Sequence, residues 1–343
     1  MKEEKRKKAI WCAKLVLTLC LLGFILYKVN WRDLFDSLAL IRTELLVMWF
    51  LLVVINVVLS SLKWMMLLTP FEARISLLDA VRLYFITIFF NNFLPGSIGG
   101  DGYRGYQVYK SEGSISAAYF PIFMERVSGL MVLVLLGGIA GLLLYVNQRD
   151  FVSLTIALSG FGATAAIMGF FCLAIYSKKI LSLKFFSNKK RIHALAGKLS
   201  RNILIYKKYP KVILWTGFFT LLFYFLLFYA RFLLLIATDG YVSFVVVVGV
   251  IMVSNVLAML PVSLNGYGIL DFSFIGLLSY YGVDYEKAVL VMLLYRCMQV
   301  MISAFGGLLY VFSGDREVVK EKMDTKSKIV ARKREPERMG IRV

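Results

Sequence analysis

The chain has 343 residues, 59% of them hydrophobic and only 18% charged, with a mean hydropathy of +0.74. No soluble domain of this length buries that much apolar surface, so a polytopic membrane protein is expected and a sizeable soluble domain is excluded. The net charge of +19 is segregated into short segments, a membrane-topology signature that argues against nucleic-acid binding.

Residues 1–8 carry five of the basic residues and begin a cytoplasmic tail, 1–9. The first apolar run, 10–28, is interrupted by Lys14 and lacks a small-residue cleavage site, so it reads as a retained helix rather than a signal peptide. The balanced charge of 29–44 suits an outer loop. A second span covers 45–69. Stretch 77–94 enters from the cytoplasm and turns back by Lys110. Spans 117–146 and 151–177 then cross out and in. They deliver the loop 178–210 to the cytoplasm, where 178–211 holds eleven basic residues and no acid. Within it, "RIHALAGKLSRNILIYKK" reads as an amphipathic segment on the inner leaflet. Span 211–238 goes out, 241–283 enters from outside and turns back, and 286–312 comes in. The tail 313–343 is basic and cytoplasmic, with ten Lys and Arg in 315–343.

The expected fold is therefore all-α, a transmembrane domain over 10–312 with about six full spans and two hairpins, and both termini in the cytoplasm. The four Cys (Cys12, Cys20, Cys172, Cys297) form no CxxC, and the only His, His193, sits in the basic loop. A zinc site needs about four clustered ligands, so neither a metal nor a cofactor is expected.

Both hairpins break at a shared motif. "LPGSIGG" (94–100) matches "LPVSLNG" (260–266) with an offset of 166 residues. The same offset carries 45–69, 77–94 and 117–146 onto segments already drawn from hydropathy. The helix 151–177 between the two units reverses their direction, so units 45–146 and 211–312 read as an inverted repeat. Paired broken helices in inverted halves point to a transport site near the membrane midplane. Pro removes a backbone donor and Gly lets the chain turn. The freed backbone groups must then be buried in protein or line a wet cavity. Free N–H groups at a half-helix start favour an anion.

Charges at depth reinforce the reading. Asp101 and Arg104 follow the first break, Asp271 the second. Glu125 and Arg126 lie inside 117–146, and Arg296 with Gln299 inside 286–312. Ionisable residues within a bilayer are functional suspects by default. Arg231 lies a few residues from the outer end of its span, where snorkelling and function both remain open. Arg104 and Arg296 are expected to meet an anionic head group, with Asp101 and Glu125 holding them.

These motifs, "NNFLPGSIGGDGYRGYQ", "ERVSGL" (125–130) and "LPVSLNGYGILD" (260–271), closely resemble the lysylphosphatidylglycerol synthase transmembrane family, a flippase-like domain. The resemblance implies an inner-membrane protein that moves, or binds for transport, a phospholipid or lipid-linked substrate. It also implies a separate lipid-modifying enzyme as partner. The implied substrate positions are Asn92, Pro95, Ser97, Gly99, Gly100, Asp101, Arg104, Glu125 and Arg126, then Pro261, Ser263, Gly266, Gly268 and Asp271. The family usually has Gly-Gly and a Glu in the second motif, where this chain has Asn265-Gly266 and Asp271, so substrate identity stays open. The sequence holds no soluble aminoacyltransferase domain, and the chain alone is not expected to make aminoacyl-lipid. A membrane-embedded transferase acting on a phospholipid or isoprenoid-linked lipid, and a non-transporting scaffold, are the alternatives.

Four further patterns carry no chemistry. "GDGYRG" (100–105) fits G-x-G-x-x-G, but no βαβ unit surrounds it. "GSIG" has no His in any span to act as base, so no catalytic residue is assigned. "GGIAG" (137–141) reads as helix packing, and "GFFTLLFYFLLFYARF" as lipid-facing or packing surface.

Overall fold

The computed structural model describes residues 2–39, 41–93, 99–175, 190–260, 263 and 266–312, with the backbone path alone for 2–14, 39 and 190–196. The described residues form twelve α-helices and no strand. In chain order these are α1 Lys2–Lys28, α2 Trp31–Ala39, α3 Thr43–Leu68, α4 Leu77–Phe93, α5 Gly99–Glu112, α6 Ile115–Gln148 and α7 Phe151–Ile175. Then follow α8 Lys190–Lys207, α9 Pro210–Ala237, α10 Phe244–Met259, α11 Ile269–Tyr280 and α12 Tyr285–Phe312.

Helices α3, α6, α7, α9 and α12 are long and apolar enough to cross a membrane. At about 1.5 Å per residue, even the 25-residue α7 outreaches a hydrocarbon core of ~30 Å. Their exposed faces carry Leu142, Leu158, Phe218, Phe225 and Leu308, as a lipid-facing surface requires. The fold is a polytopic helical membrane protein. Helices α5 and α11, of 14 and 12 residues, are too short to cross alone.

The segment expected as an outer loop is partly helical. The chain bends by 82° after α1 and runs into α2, which exposes Trp31, Phe35 and Leu38 along one side. Asn30 starts α2, receiving Arg32 N–H at 3.2 Å and donating to Asp33 at 2.7 Å.

Polar links gather the helix ends at two faces. At one, Arg42 before α3 pairs with Asp239 after α9 at 3.2 Å, and Lys287 of α12 donates to the Asp239 carbonyl at 3.1 Å. Tyr285 reaches the Ile25 carbonyl near the end of α1. Asp150, between α6 and α7, accepts from Ser153 N–H at 2.8 Å and from Tyr280 of α11. At the opposite face, Tyr206 of α8 donates to Leu67 at the end of α3 at 2.7 Å. A cavity of about 290 Å³ there is lined by Ser76 and Asp79 at the start of α4 and by Ser111 and Glu112 at the end of α5. The broken pairs α4–α5 and α10–α11 therefore open on opposite faces.

Close backbone approach fixes several crossings. A Cβ at Gly160 of α7 would lie 2.5 Å from the Gly138 Cα of α6, and one at Gly141 2.4 Å from Ala157 N. The "GGIAG" stretch is thus a packing seam. A Cβ at Gly306 would meet the Phe85 carbonyl of α4 at 2.0 Å. The packing has an exchange pattern: α3 lies against α9, α4 against α12, and α10 against α6.

Candidate functional site

The first polar network forms where α5 leaves the break. Gly100 N–H donates to Asn91 at 2.9 Å, and a Cβ at Gly100 would lie 2.1 Å from the Thr87 carbonyl. Only Gly lets α5 begin this close to α4. Gly99 starts the helix beside it. The residue after Gly100, Asp101, divides its carboxylate between two guanidinium groups. Its Oδ1 is 3.0 Å from Arg104 Nη2, and its Oδ2 is 2.7 Å from Arg126 Nη2 and 2.8 Å from Arg126 Nε. Arg104 is 2% exposed. Its Nη1 also lies 3.1 Å from Glu125 Oε2, within ion-pair range though off the alignment of a hydrogen bond. The other oxygen of Glu125 accepts from the Tyr84 hydroxyl. Trp64 and Tyr84 flank the Arg104 guanidinium, with ring centroids at 4.7 and 4.4 Å. Four charges cancel here, and Lys63 remains. It is 3% exposed, sits over the Phe223 ring at 4.7 Å, and among the described residues has no carboxylate within ion-pairing distance.

The second network is built in the same way. Gly266 and Gly268 take φ of +77° and +81°, which favours glycine. Gly268 N–H donates to Asp271 at 2.8 Å, capping α11. Arg296 grips both oxygens of Asp271, Nε to Oδ1 at 2.8 Å and Nη2 to Oδ2 at 3.0 Å. Its Nη1 donates to Gln299 at 2.9 Å, and Gln299 in turn donates to Asn92 at 3.0 Å. Asn92 thereby ties the end of α4 to α12. Tyr267 lies against Arg296, its ring centroid 4.1 Å from the guanidinium carbon. In each half an Asp at the start of a short helix grips an Arg 25 residues further on, Asp101 with Arg126 and Asp271 with Arg296.

A cavity of about 330 Å³ lies along the α3–α9 seam and touches both networks, through Tyr84 on one side and Gln299 on the other. Arg231 of α9 also lines it. This residue is 8% exposed, so it is buried in the protein and does not snorkel to an interface. Its guanidinium carbon stands 3.3 Å from the Tyr295 ring centroid, and among the described residues no carboxylate lies within ion-pairing distance. Stacking of this kind returns about 2 kcal/mol. An unpaired buried charge costs several kcal/mol. The stack alone leaves Arg231 under-compensated.

Of the residues singled out from the sequence, the structure joins Asp101, Arg104, Glu125 and Arg126 in one network. Asn92, Asp271 and Arg296 fall in the other, with Gly268 as cap. Ser263 is buried near the second break. Pro95, Ser97 and Pro261 lie outside the described residues. Tyr84, Trp64 and Tyr295, which hold the arginines, carry no charge and were hidden among many other aromatics. Lys63, by contrast, was visible as a lone cation inside the apolar run 45–69.

The match to known families agrees with this build. The model of the lysylphosphatidylglycerol synthase TM region matches residues 11–306. The chain belongs to that family. The match runs from within α1 almost to the end of α12 and takes in both broken pairs. A relative within reach of the family is the UPF0104 membrane protein MJ1078 of Methanocaldococcus jannaschii. It is 26% identical over 248 residues, which cover 70% of this chain and all of that protein.

Proposed function

We propose that this protein is a lipid translocase, or the lipid-binding component of one, acting on an anionic or lipid-linked head group. It would sit in the cell membrane with both termini in the cytoplasm, and a separate lipid-modifying enzyme would supply or use its lipid. The observation that carries the reading is the cavity between two ion-paired helix breaks that open on opposite faces. A chamber set between two helix breaks, with Arg231, Asn56, Asn255 and Gln299 among its mostly apolar lining, is the kind of site that a transporter built from paired broken helices would use.

An inverted repeat underlies the proposal. Helix starts at Thr43 and Pro210, and at Leu77 and Phe244, differ by 167; those at Gly99 and Ile269, and at Ile115 and Tyr285, differ by 170. The exchange of α4 onto α12 and of α10 onto α6 is what a two-fold relation would give. The ion pairs at equal spacing fit it as well.

The test is reconstitution. Proteoliposomes holding a fluorescent anionic phospholipid in both leaflets should lose inner-leaflet dye to an impermeant reductant faster than empty liposomes. The double variant Asp101→Asn/Arg126→Gln, folded by size exclusion, should lose most of that rate. Equal rates for wild type and protein-free vesicles would sink the translocase reading.

A further inference from the structure

We propose that Arg231 binds the phosphate of a phosphate ester in the α3–α9 cavity, and that Asn56 accepts a hydroxyl hydrogen bond from the same ligand. The proposal rests on the lipid reading above for the source of the ester, while its chemistry comes from the cavity itself.

Arg231 is the one charged residue among those lining the cavity. The arginines suggested by the motifs are engaged elsewhere. Arg104 is held between two carboxylates, and Arg126 and Arg296 each grip an aspartate. Arg231 stands against the rings of Tyr295 at 3.3 Å and Phe274 at 5.4 Å, and among the described residues it forms no ion pair. A ring stack covers the flat face of a guanidinium, whereas its N–H donors lie in the plane. Those donors form a fork that matches two oxygens of a phosphate.

Asn56 supplies the second half of the recognition. It lines the same cavity, and its Oδ1 is buried and accepts no hydrogen bond. A buried acceptor without a donor is costly, so the site favours a ligand that brings an O–H. A phosphate ester bearing a hydroxyl satisfies Arg231 and Asn56 together. A bare phosphate monoanion ester of methanol satisfies Arg231 alone. A choline head group brings a second cation into a cavity that already holds one. The volume, about 330 Å³, is near the lower bound of the ~300–1,000 Å³ typical of small-ligand sites, which suits a head group rather than acyl chains.

The experiment is calorimetry on the full chain in neutral detergent, with four probes. These are dihexanoyl-phosphatidylglycerol, dihexanoyl-phosphatidylmethanol, dihexanoyl-phosphatidylcholine and glycerol 3-phosphate. Wild type should bind the glycerol lipid best and the choline lipid worst. Arg231→Gln should weaken the glycerol lipid at least tenfold, with Arg231→Lys between. Asn56→Leu should erase the preference for the glycerol lipid over the methanol lipid. Leu227→Glu, one turn before Arg231 on α9 and lining the same cavity, places a carboxylate against the guanidinium and should abolish binding; Leu227→Gln should not. That pair leaves Arg231 in place, so it decides the matter if Arg231→Gln does not fold. Unchanged binding in Arg231→Gln or in Leu227→Glu overturns the proposal. Glycerol 3-phosphate binding as tightly as the short lipid keeps Arg231 as the phosphate site and removes the lipid reading. No binding of any phosphate ester to wild type removes the site while leaving the transport assay to judge translocation.

Discussion

Asp271 accepts three hydrogen bonds, one from its own helix cap and two from Arg296. Removing one partner of a buried ion pair strands the other, at about 3–5 kcal/mol. Asp271→Asn should therefore lower the melting temperature of the detergent-solubilised protein sharply. The double variant Asp271→Asn/Arg296→Gln should recover a good part of that loss. A thermal-shift cycle over the four proteins measures the coupling, and additive single effects would show that the pair is not an energetic unit. The acids and arginines at these positions were legible in the sequence because charges are rare in apolar spans. Their pairing was less so. The motif offset of 166 carries Arg126 onto Met292, not Arg296, and so conceals the match between the two halves.

The reason is visible at the scale of elements. Five residues, 94–98, separate α4 from α5, but nine, 260–268, separate α10 from α11. The extra chain shifts everything after the second break by about one helical turn. The long helices were easy to read: 45–69 is Thr43–Leu68, and 286–312 is Tyr285–Phe312. Strong hydropathy fixes such elements whatever their packing. Helix α2 escaped because nine amphipathic residues average to an unremarkable polarity. The glycine spacing of "GGIAG" signals helix packing, but not how closely α6 and α7 approach. Gly160→Leu would place a branched side chain where the Gly138 backbone already stands. A cost of about 1–3 kcal/mol is expected from overpacking, read as a lower melting temperature, while Gly162→Leu, where nothing lies within 4 Å, should be tolerated.

For the whole molecule, the sidedness is the sharpest prediction. In a cysteine-free variant, single cysteines replacing Phe35, Gln148 or Asp284 should react with an impermeant maleimide added to intact cells. Ones replacing Lys190 or Thr325 should react only after lysis. Labelling of position 190 in intact cells would reverse the loop 178–210 and break the proposed inversion. The exchange of broken hairpins between halves also bears on how the protein is made. The most extensive packing of α4 is against α12, which begins 192 residues after α4 ends. At about 5–20 residues per second, a ribosome needs roughly 10–40 s to synthesise that stretch. Throughout that interval the first hairpin, with its aspartate and arginines, stands in the membrane without the helix that seals it. Neither half, expressed alone, should therefore reach the closed fold.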